Sequence, residues 1–323
     1  MAGSHPILRI AGLRVQFVDK DGLRTAVEES NLEVAPGEVL GIVGESGSGK
    51  TVTCAAAMGL LNGWPGVVSG RIEFDPGSGP IDLLEGHEKT LLVEPGKPVQ
   101  KRKRAWKFFI QRRFQPYWGN GMTMIFQNPQ TALNPFWKVG RIVGEAVRLR
   151  HPHSSKEEVR RQGIEWLERV KLPNPARVWE TYPHELSGGM AQRVMIASSL
   201  ARGARLMFAD EPTTGLDTTV KARIVELFSV LRREENLAIV VISHDLGVVA
   251  ALSDRVVVMR DGRILETRRI ADITGRAADL HPYTQELIGA VDVWKQEQGN
   301  GERVVWAELP TAPAPERGNG DGR

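Results

Sequence analysis

The apolar run Val39-Leu40-Gly41-Ile42-Val43 ends on Gly44-Glu45-Ser46-Gly47-Ser48-Gly49-Lys50-Thr51, and residues 50–61 then read as a helix. A buried strand, a glycine-rich turn and a helix in that order form the context in which a backbone can bind a polyphosphate. Glycines let the chain wrap an anion, so that successive N–H groups and the N-terminus of the next helix face negative charge. Lys50 adds a cation for the outer phosphates, and Thr51 a hydroxyl where such loops hold Mg²⁺. The spacing arises by chance in about 1 of 100 chains of this length, so it does not by itself decide the chemistry.

Two further elements narrow it. Leu206-Met207-Phe208-Ala209-Asp210-Glu211 reads as an apolar strand ending in two carboxylates, expected beside the phosphate loop in a parallel sheet. Asp210 can hold the shell of a Mg²⁺ ion and Glu211 can polarise water, while His244 closes another strand end. The alternative, a strand that merely stops in solvent at two acids, does not account for this combination. Leu186-Ser187-Gly188-Gly189-Met190-Ala191-Gln192-Arg193 opens a helix with a serine and two glycines, a second anion-binding geometry. Standing alone it would read as an ordinary helix cap. Two phosphate-binding surfaces on one nucleotide would be redundant, so the economical expectation is a dimer in which each chain completes its partner's site.

Around these elements the chain reads as one composite domain. Apolar runs at 206–209 and 238–242 with a helical stretch 218–233 between them predict a βαβ unit. Residues 7–18 and 31–43 read as strands, 156–171 and 188–202 as amphipathic helices. From Pro76 to Pro98 the composition turns to Gly, Pro and charge. Lys97–Arg113 then carries eight basic residues and no acidic one, interleaved with Trp106, Phe108 and Phe109 and followed by Phe114, Tyr117 and Trp118. This predicts an exposed insertion. It reads first as a solvated arm whose aromatics pack locally, then as a surface for anionic lipid or a partner subunit, and last as one for nucleic acid.

With 41% hydrophobic and 25% charged residues among 323, the chain has the make-up of a globular protein. The longest apolar runs are of strand length, well short of the roughly 18–20 residues needed to cross a bilayer. The first residues lack the charged start and apolar stretch of a secretory signal, so a cytoplasmic location is expected. Cys54 is the single cysteine; its alanine and methionine neighbours predict a small buried residue rather than a reactive thiol. A net charge of +3 names no partner.

At these residues the chain resembles the nucleotide-binding subunits of ABC transporters, with the motifs in family order over roughly residues 7–290. Gly44–Thr51, with Val52 after it, matches the Walker A loop, and Gln127 in Met124-Ile125-Phe126-Gln127 the Q-loop. Ser187, Gly188, Gly189 and Met190 match the ABC signature, Asp210-Glu211 Walker B, Gly215-Leu216-Asp217 the D-loop, and His244 the H-loop. Phe126-Gln127-Asn128-Pro129, Ala132-Leu133-Asn134-Pro135 and His281-Pro282-Tyr283-Thr284 resemble the dipeptide and oligopeptide importer branch. The signature departs from the commoner pattern in having Met190 where Gln is usual. Many members of that branch carry a C-terminal cysteine cluster for an iron–sulfur centre; this chain has none there, so no such cluster is expected. The aromatic that stacks on adenine has no clear counterpart; Phe17 is the nearest candidate and equally reads as a core strand residue.

The resemblance implies an α/β fold: a RecA-like P-loop core, an antiparallel β subdomain and an inserted α-helical subdomain. It places an ATPase domain at 7–275, with the helical subdomain at about 128–203 and the basic insertion at about 76–119. An importer-type extension follows at 276–309 and a disordered tail at 310–323. It implies Mg-ATP as cofactor, with Gly44, Glu45, Ser46, Gly47, Ser48, Gly49, Lys50, Thr51, Val52, Ser187, Gly188, Gly189 and Asp217 on the nucleotide. Thr51, Gln127 and Asp210 would face the metal, and Glu211, His244 and Gln127 would serve catalysis. The implied partners are a second ABC ATPase subunit, usually a different paralogue, two integral membrane permease subunits and, indirectly, a solute-binding protein. No nucleic acid is expected. The implied location is the cytoplasmic face of the inner membrane. The competing expectation is a soluble ABC ATPase of an enzyme complex, such as a carbon–phosphorus lyase accessory subunit.

Overall fold

The computed structural model describes residues 5–19, 22–61, 65–94, 99–275 and 277–297. In chain order, β1 (Leu8–Asp19) and β2 (Gly22–Val34) form a long hairpin, β3 (Val39–Val43) leads into the phosphate loop, and α1 (Lys50–Ala57) leaves it. β4 (Pro65–Phe74) returns to β1 and β5 (Ile81–Asp82) joins it, giving an antiparallel sheet in the order β2-β1-β4-β5. A short ribbon of β6 (Leu91–Leu92) and β7 (Gln100–Lys101) precedes α2 (Lys103–Arg113). Next come β8 (Met122–Ile125) and five helices, α3 (Pro129–Ala132), α4 (Val139–Arg150), α5 (Lys156–Arg169), α6 (Pro175–Trp179) and α7 (Gly188–Leu200). The rest alternates: β9 (Leu206–Asp210), α8 (Thr218–Glu235), β10 (Ala238–Ile242), α9 (Leu246–Leu252), β11 (Arg255–Arg260) and β12 (Arg263–Arg269). α10 (Ile270–Thr274) and α11 (Pro282–Glu297) follow.

A six-stranded sheet in the order β12-β11-β3-β10-β9-β8 is the centre of the molecule, parallel except where β12 runs back along β11. Its inner strands are buried along their whole length, which is why they read as unbroken apolar runs rather than alternating ones. Alternation survives in what each residue faces. Val39, Met207, Ala209, Ile239 and Val241 enter one core, with Val143, Leu167, Ile196 and Phe228 from α4, α5, α7 and α8. Leu40, Ile42, Phe208, Val240 and Ile242 enter the other, with Leu8, Val27 and Phe74 from the antiparallel sheet and Cys54 from α1. Burying large apolar side chains on both faces fixes the register, since a one-residue slip would exchange the two cores. A third, smaller cluster of Val43, Val249, Val256, Val258, Ile273, Leu280 and Tyr283 seats the start of α11 on this sheet.

Cys54 is buried as expected, and burial raises its thiol pKa well above the ordinary range. β9 ends beside the phosphate loop in a parallel sheet as expected, with β10 between it and β3, Val240 opposite Leu40 on one side and Phe208 on the other. Two expectations need correction. First, β2 begins at Gly22, nine residues before the apolar stretch that signalled it. Its first three residues are exposed and Val27 is the first fully buried one, so no apolar run marks this half, and Glu29 takes a left-handed conformation where the register to β1 shifts. Second, the segment around α2 is not an exposed arm. Trp106, Ile110 and Phe114 lie four residues apart, form one helical face, and are buried in the second core. Phe109 stacks on Trp106 at 5.3 Å and meets Phe114 edge-on at 6.4 Å, and the Trp118 indole donates to the Met58 carbonyl at 2.9 Å. Only the opposite face, with Arg104, Lys107, Phe108 and Arg112, is exposed. The expected tail at 310–323 lies outside the described residues.

Candidate nucleotide site

Gly44 has φ +147°, and a Cβ there would stand 2.0 Å from the Met259 carbonyl oxygen, so a side chain is excluded on conformation and on space alike. The turn continues through Gly47 and Gly49, both at positive φ, and Gly49 caps α1. Lys50 is 8% exposed and folds back over the loop. Its ammonium donates to the Gly44 and Glu45 carbonyls, each at 2.7 Å, and to Ser48 Oγ at 3.3 Å. Burial lowers its pKa, partly offset by the nearby Glu211, Asp210 and Glu45. Glu45, Ser46 and Gly47 are exposed at the loop's outer side.

Across the loop, Thr51 Oγ1 donates to Asp210 Oδ1 at 3.2 Å, although β10 stands between β9 and the strand β3 that leads into the loop. Burial raises the Asp210 pKa, and Glu211 adds to this, while the Thr51 hydroxyl and Lys50 act against it. A hydroxyl and a carboxylate oxygen so placed are hard oxygen donors of the kind Mg²⁺ takes, with its other positions left for phosphate and water. Glu211 is held at φ +51°, a left-handed conformation uncommon for a non-glycine residue. One of its carboxylate oxygens accepts from the His244 backbone N–H at 3.1 Å and meets His244 Nδ1 at 2.8 Å. The other accepts from Thr214 Oγ1 at 2.8 Å. A proton on Nδ1 makes that contact a hydrogen bond to the carboxylate.

These residues enclose a cavity of about 560 Å³, within the range of small-molecule sites. Ser46, Gly47, Gly49, Lys50, Thr51, Val52, Gln127, Asp210, Glu211 and His244 line it, and Phe17, Arg24 and Ala26 form one end. Phe17 stands opposite Arg24 in the β1–β2 register, packs against the second core as a strand residue, and also lines the cavity. None of Ser187, Gly188, Gly189 or Asp217 lines this cavity. Ser187 caps α7, accepting from the Met190 N–H at 3.3 Å, and Asp217 caps α8 through the Val220 N–H at 3.0 Å. The two caps adjoin: a Cβ on Gly189 would come within 2.7 Å of Val220 Cγ1. Two contacts had no counterpart in the sequence reading. They are the Thr214 hydroxyl on Glu211 and the hydroxyl of Tyr283, which accepts from the Glu45 N–H at 3.1 Å. Tyr283 lies in a tetrapeptide that stood out in the sequence, but nothing there placed it at the loop.

Residues 27–214 match the ABC transporter family. The chain is 41% identical over 288 residues to the oligopeptide transport ATP-binding protein of Salmonella typhimurium, covering 89% of this chain and 77% of that protein. It is 38% identical over 305 residues to the dipeptide transport ATP-binding protein of Escherichia coli, covering 94% and 82%. Among solved structures, a dimeric ATP-binding cassette in a post-hydrolysis state bound to ADP and Pi superposes with a TM-score of 0.63 at 23% identity, covering 81% of this chain and 98% of that one. At that identity the likeness speaks to the fold, an α/β P-loop ATPase.

Proposed function

We infer the function from a plain premise: the chain belongs to the ABC transporter family, as an ATP-binding and ATP-hydrolysing subunit of an importer. Beyond that premise, we propose that closure of two such subunits around ATP drives uptake of peptide, or a related small solute, through separate membrane subunits. Support for the solute class comes from the relatives, which are named for oligopeptide, dipeptide and glutathione import. The carbon–phosphorus lyase alternative has no such support. Our reading pairs the chain with a second, different ABC ATPase and two permease subunits, served by a solute-binding protein, at the cytoplasmic face of the inner membrane. Among the described residues no helix is long and apolar enough to cross a membrane. Nucleic acid has no part in this reading.

The observation that carries it is the separation of the Ser187–Gly189 cap from the cavity that holds Lys50 and Glu211. In the proposed mechanism the loop N–H groups and Lys50 bind the phosphates, and Thr51, Asp210 and Gln127 are the residues that would hold Mg²⁺. Mg²⁺ supplies charge neutralisation on the transferring phosphoryl group. Glu211 orients the attacking water and takes its proton; its two hydrogen bonds from His244 and its one from Thr214 fix the carboxylate for that task. His244, held beside Glu211 in the cavity, contacts the outer phosphate. Phe17 packs on the base. The cap of a partner chain brings donors to the charge that develops in transfer, and in the same way Ser187, Gly188, Gly189 and Asp217 of this chain complete the partner's site.

Purification of the chain from its native membrane and reconstitution of what accompanies it into vesicles tests this reading. Integral membrane proteins are expected to co-purify, and labelled peptide to accumulate only with Mg-ATP. Glu211→Gln in that complex is expected to retain Mg-ATP binding while ATP turnover and uptake fall together by about two orders of magnitude or more. A complex free of integral membrane proteins, or one in which Glu211→Gln leaves turnover unchanged, overturns it.

A further inference from the structure

Tyr283 stands at the start of α11 with 2% of its surface exposed. Its hydroxyl accepts from the Glu45 backbone N–H at 3.1 Å. That N–H belongs to the same peptide unit as the Gly44 carbonyl, which accepts from Lys50 Nζ at 2.7 Å. In a trans peptide the two groups point in opposite directions. One peptide plane is therefore gripped on one edge by the tyrosine and on the other by the lysine. The plane has little stiffness of its own, because Gly44 at φ +147° lacks the Cβ that would resist rotation about its bonds. Without the tyrosine, a flip of this peptide would turn the Gly44 carbonyl away from Lys50 and release one of the ammonium's three anchors.

The tyrosine itself is held fast. The Arg260 guanidinium lies 4.7 Å over its ring, and its own N–H donates to His281 Nδ1 at 3.1 Å. The adjacent Thr284 hydroxyl donates to the Glu266 carboxylate, which also accepts from the His281 N–H at 3.1 Å and pairs with Arg268 at 2.9 Å. Arg268 reaches on to Asp279 at 3.0 Å. The tetrapeptide at 281–284 is thus clamped to β12, and the tyrosine hydroxyl is the end of that clamp which touches the phosphate loop.

We propose that Tyr283 is a positioning residue of the nucleotide site, whose hydroxyl locks the Gly44–Glu45 peptide and through it sets the Lys50 ammonium for phosphate. The C-terminal segment is then a working part of the ATP site: whatever displaces α11 loosens the grip on nucleotide. This rests on the reading of Lys50 as the cation that binds phosphate.

The test is titration of the full chain with a fluorescent ATP analogue in the presence of Mg²⁺, for wild type, Tyr283→Phe, Lys50→Ala and the double variant. Tyr283→Phe keeps the ring, its burial and the Arg260 contact, so the nucleotide-free chain is expected to stay folded, its unfolding midpoint lowered by no more than the one lost hydrogen bond. Its affinity is expected to fall about three- to tenfold, the loss of one hydrogen bond. Lys50→Ala is expected to fall further, and the double variant no further than Lys50→Ala, because the hydroxyl acts through the lysine. Unchanged affinity in Tyr283→Phe, or an equal additional loss in the Lys50→Ala background, overturns the positioning role while leaving the loop's role intact. Wild-type affinity in Lys50→Ala overturns the reading of the loop itself.

Discussion

Asp210 is kept where burial opposes its charge, and the sign of that opposition is open to measurement. Its folded-state pKa lies above the ordinary carboxylate value, chiefly through burial. A raised carboxyl pKa leaves stability whole below the unfolded-state value near ~3.9 and removes it as pH rises through the folded-state value. At neutral pH the chain carries the full cost. Asp210→Asn is therefore expected to raise the unfolding midpoint of the nucleotide-free chain at pH 7, by on the order of 2 °C. The difference should fade as the buffer is taken into the acid range. The same variant should lose the strengthening of ATP binding by Mg²⁺, since the anionic oxygen beside Thr51 is gone. Differential scanning calorimetry across pH, with and without Mg²⁺, checks both, and an unchanged midpoint at pH 7 would contradict the account. Residues whose partners lie nearby in sequence were legible at this scale, as with the glycines of the loop and Lys50. The bond from Tyr283 to Glu45 spans 238 positions, and no local pattern announces such a contact.

Among the elements, α2 separates what periodicity reveals from what composition hides. The stripe of Trp106, Ile110 and Phe114 is helical and apolar, yet it is threaded among so many cations that net charge made the segment read as solvated. Burial of the stripe against Phe74, Met58 and the antiparallel sheet makes α2 part of the second core. Phe114→Ala is expected to cost about 3–5 kcal/mol in urea unfolding, as large-to-small changes at fully buried aromatics do. Lys107→Ala, on the exposed face, should stay within about 0.5 kcal/mol. A Phe114→Ala loss as small as that of Lys107→Ala would mean that the helix does not belong to the core. The β9–α8–β10 unit was legible because a helix between two apolar runs leaves parallel pairing as the economical arrangement. The place of β10 between β3 and β9 was not. Strand order depends on which crossover each connection takes, and the individual strands carry no mark of it.

On the scale of the whole molecule, two of the described helices start on the glycine-rich loops expected to bind anions, and only the loop before α1 opens on the cavity that holds Lys50, Glu211 and His244. The other, at Ser187, is braced from behind by α8, where Val220 leaves no room for a Cβ on Gly189. On the proposed reading, this exposed cap serves a nucleotide held by another chain. If that chain is a different paralogue, each half-site can be followed separately by photolabelling an assembled complex with an azido analogue of ATP. Ser187→Arg in this chain is expected to leave labelling of this chain, and its affinity when isolated, within about twofold of wild type. Donors that meet developing charge are worth about 10²- to 10³-fold in rate, so turnover of the assembled complex should fall by at least tenfold. In the closed state, labelling should decline on the partner chain. Loss of labelling on this chain with the partner untouched would mean that both surfaces serve one nucleotide. The cavity around Lys50 would then be a whole site rather than half of one.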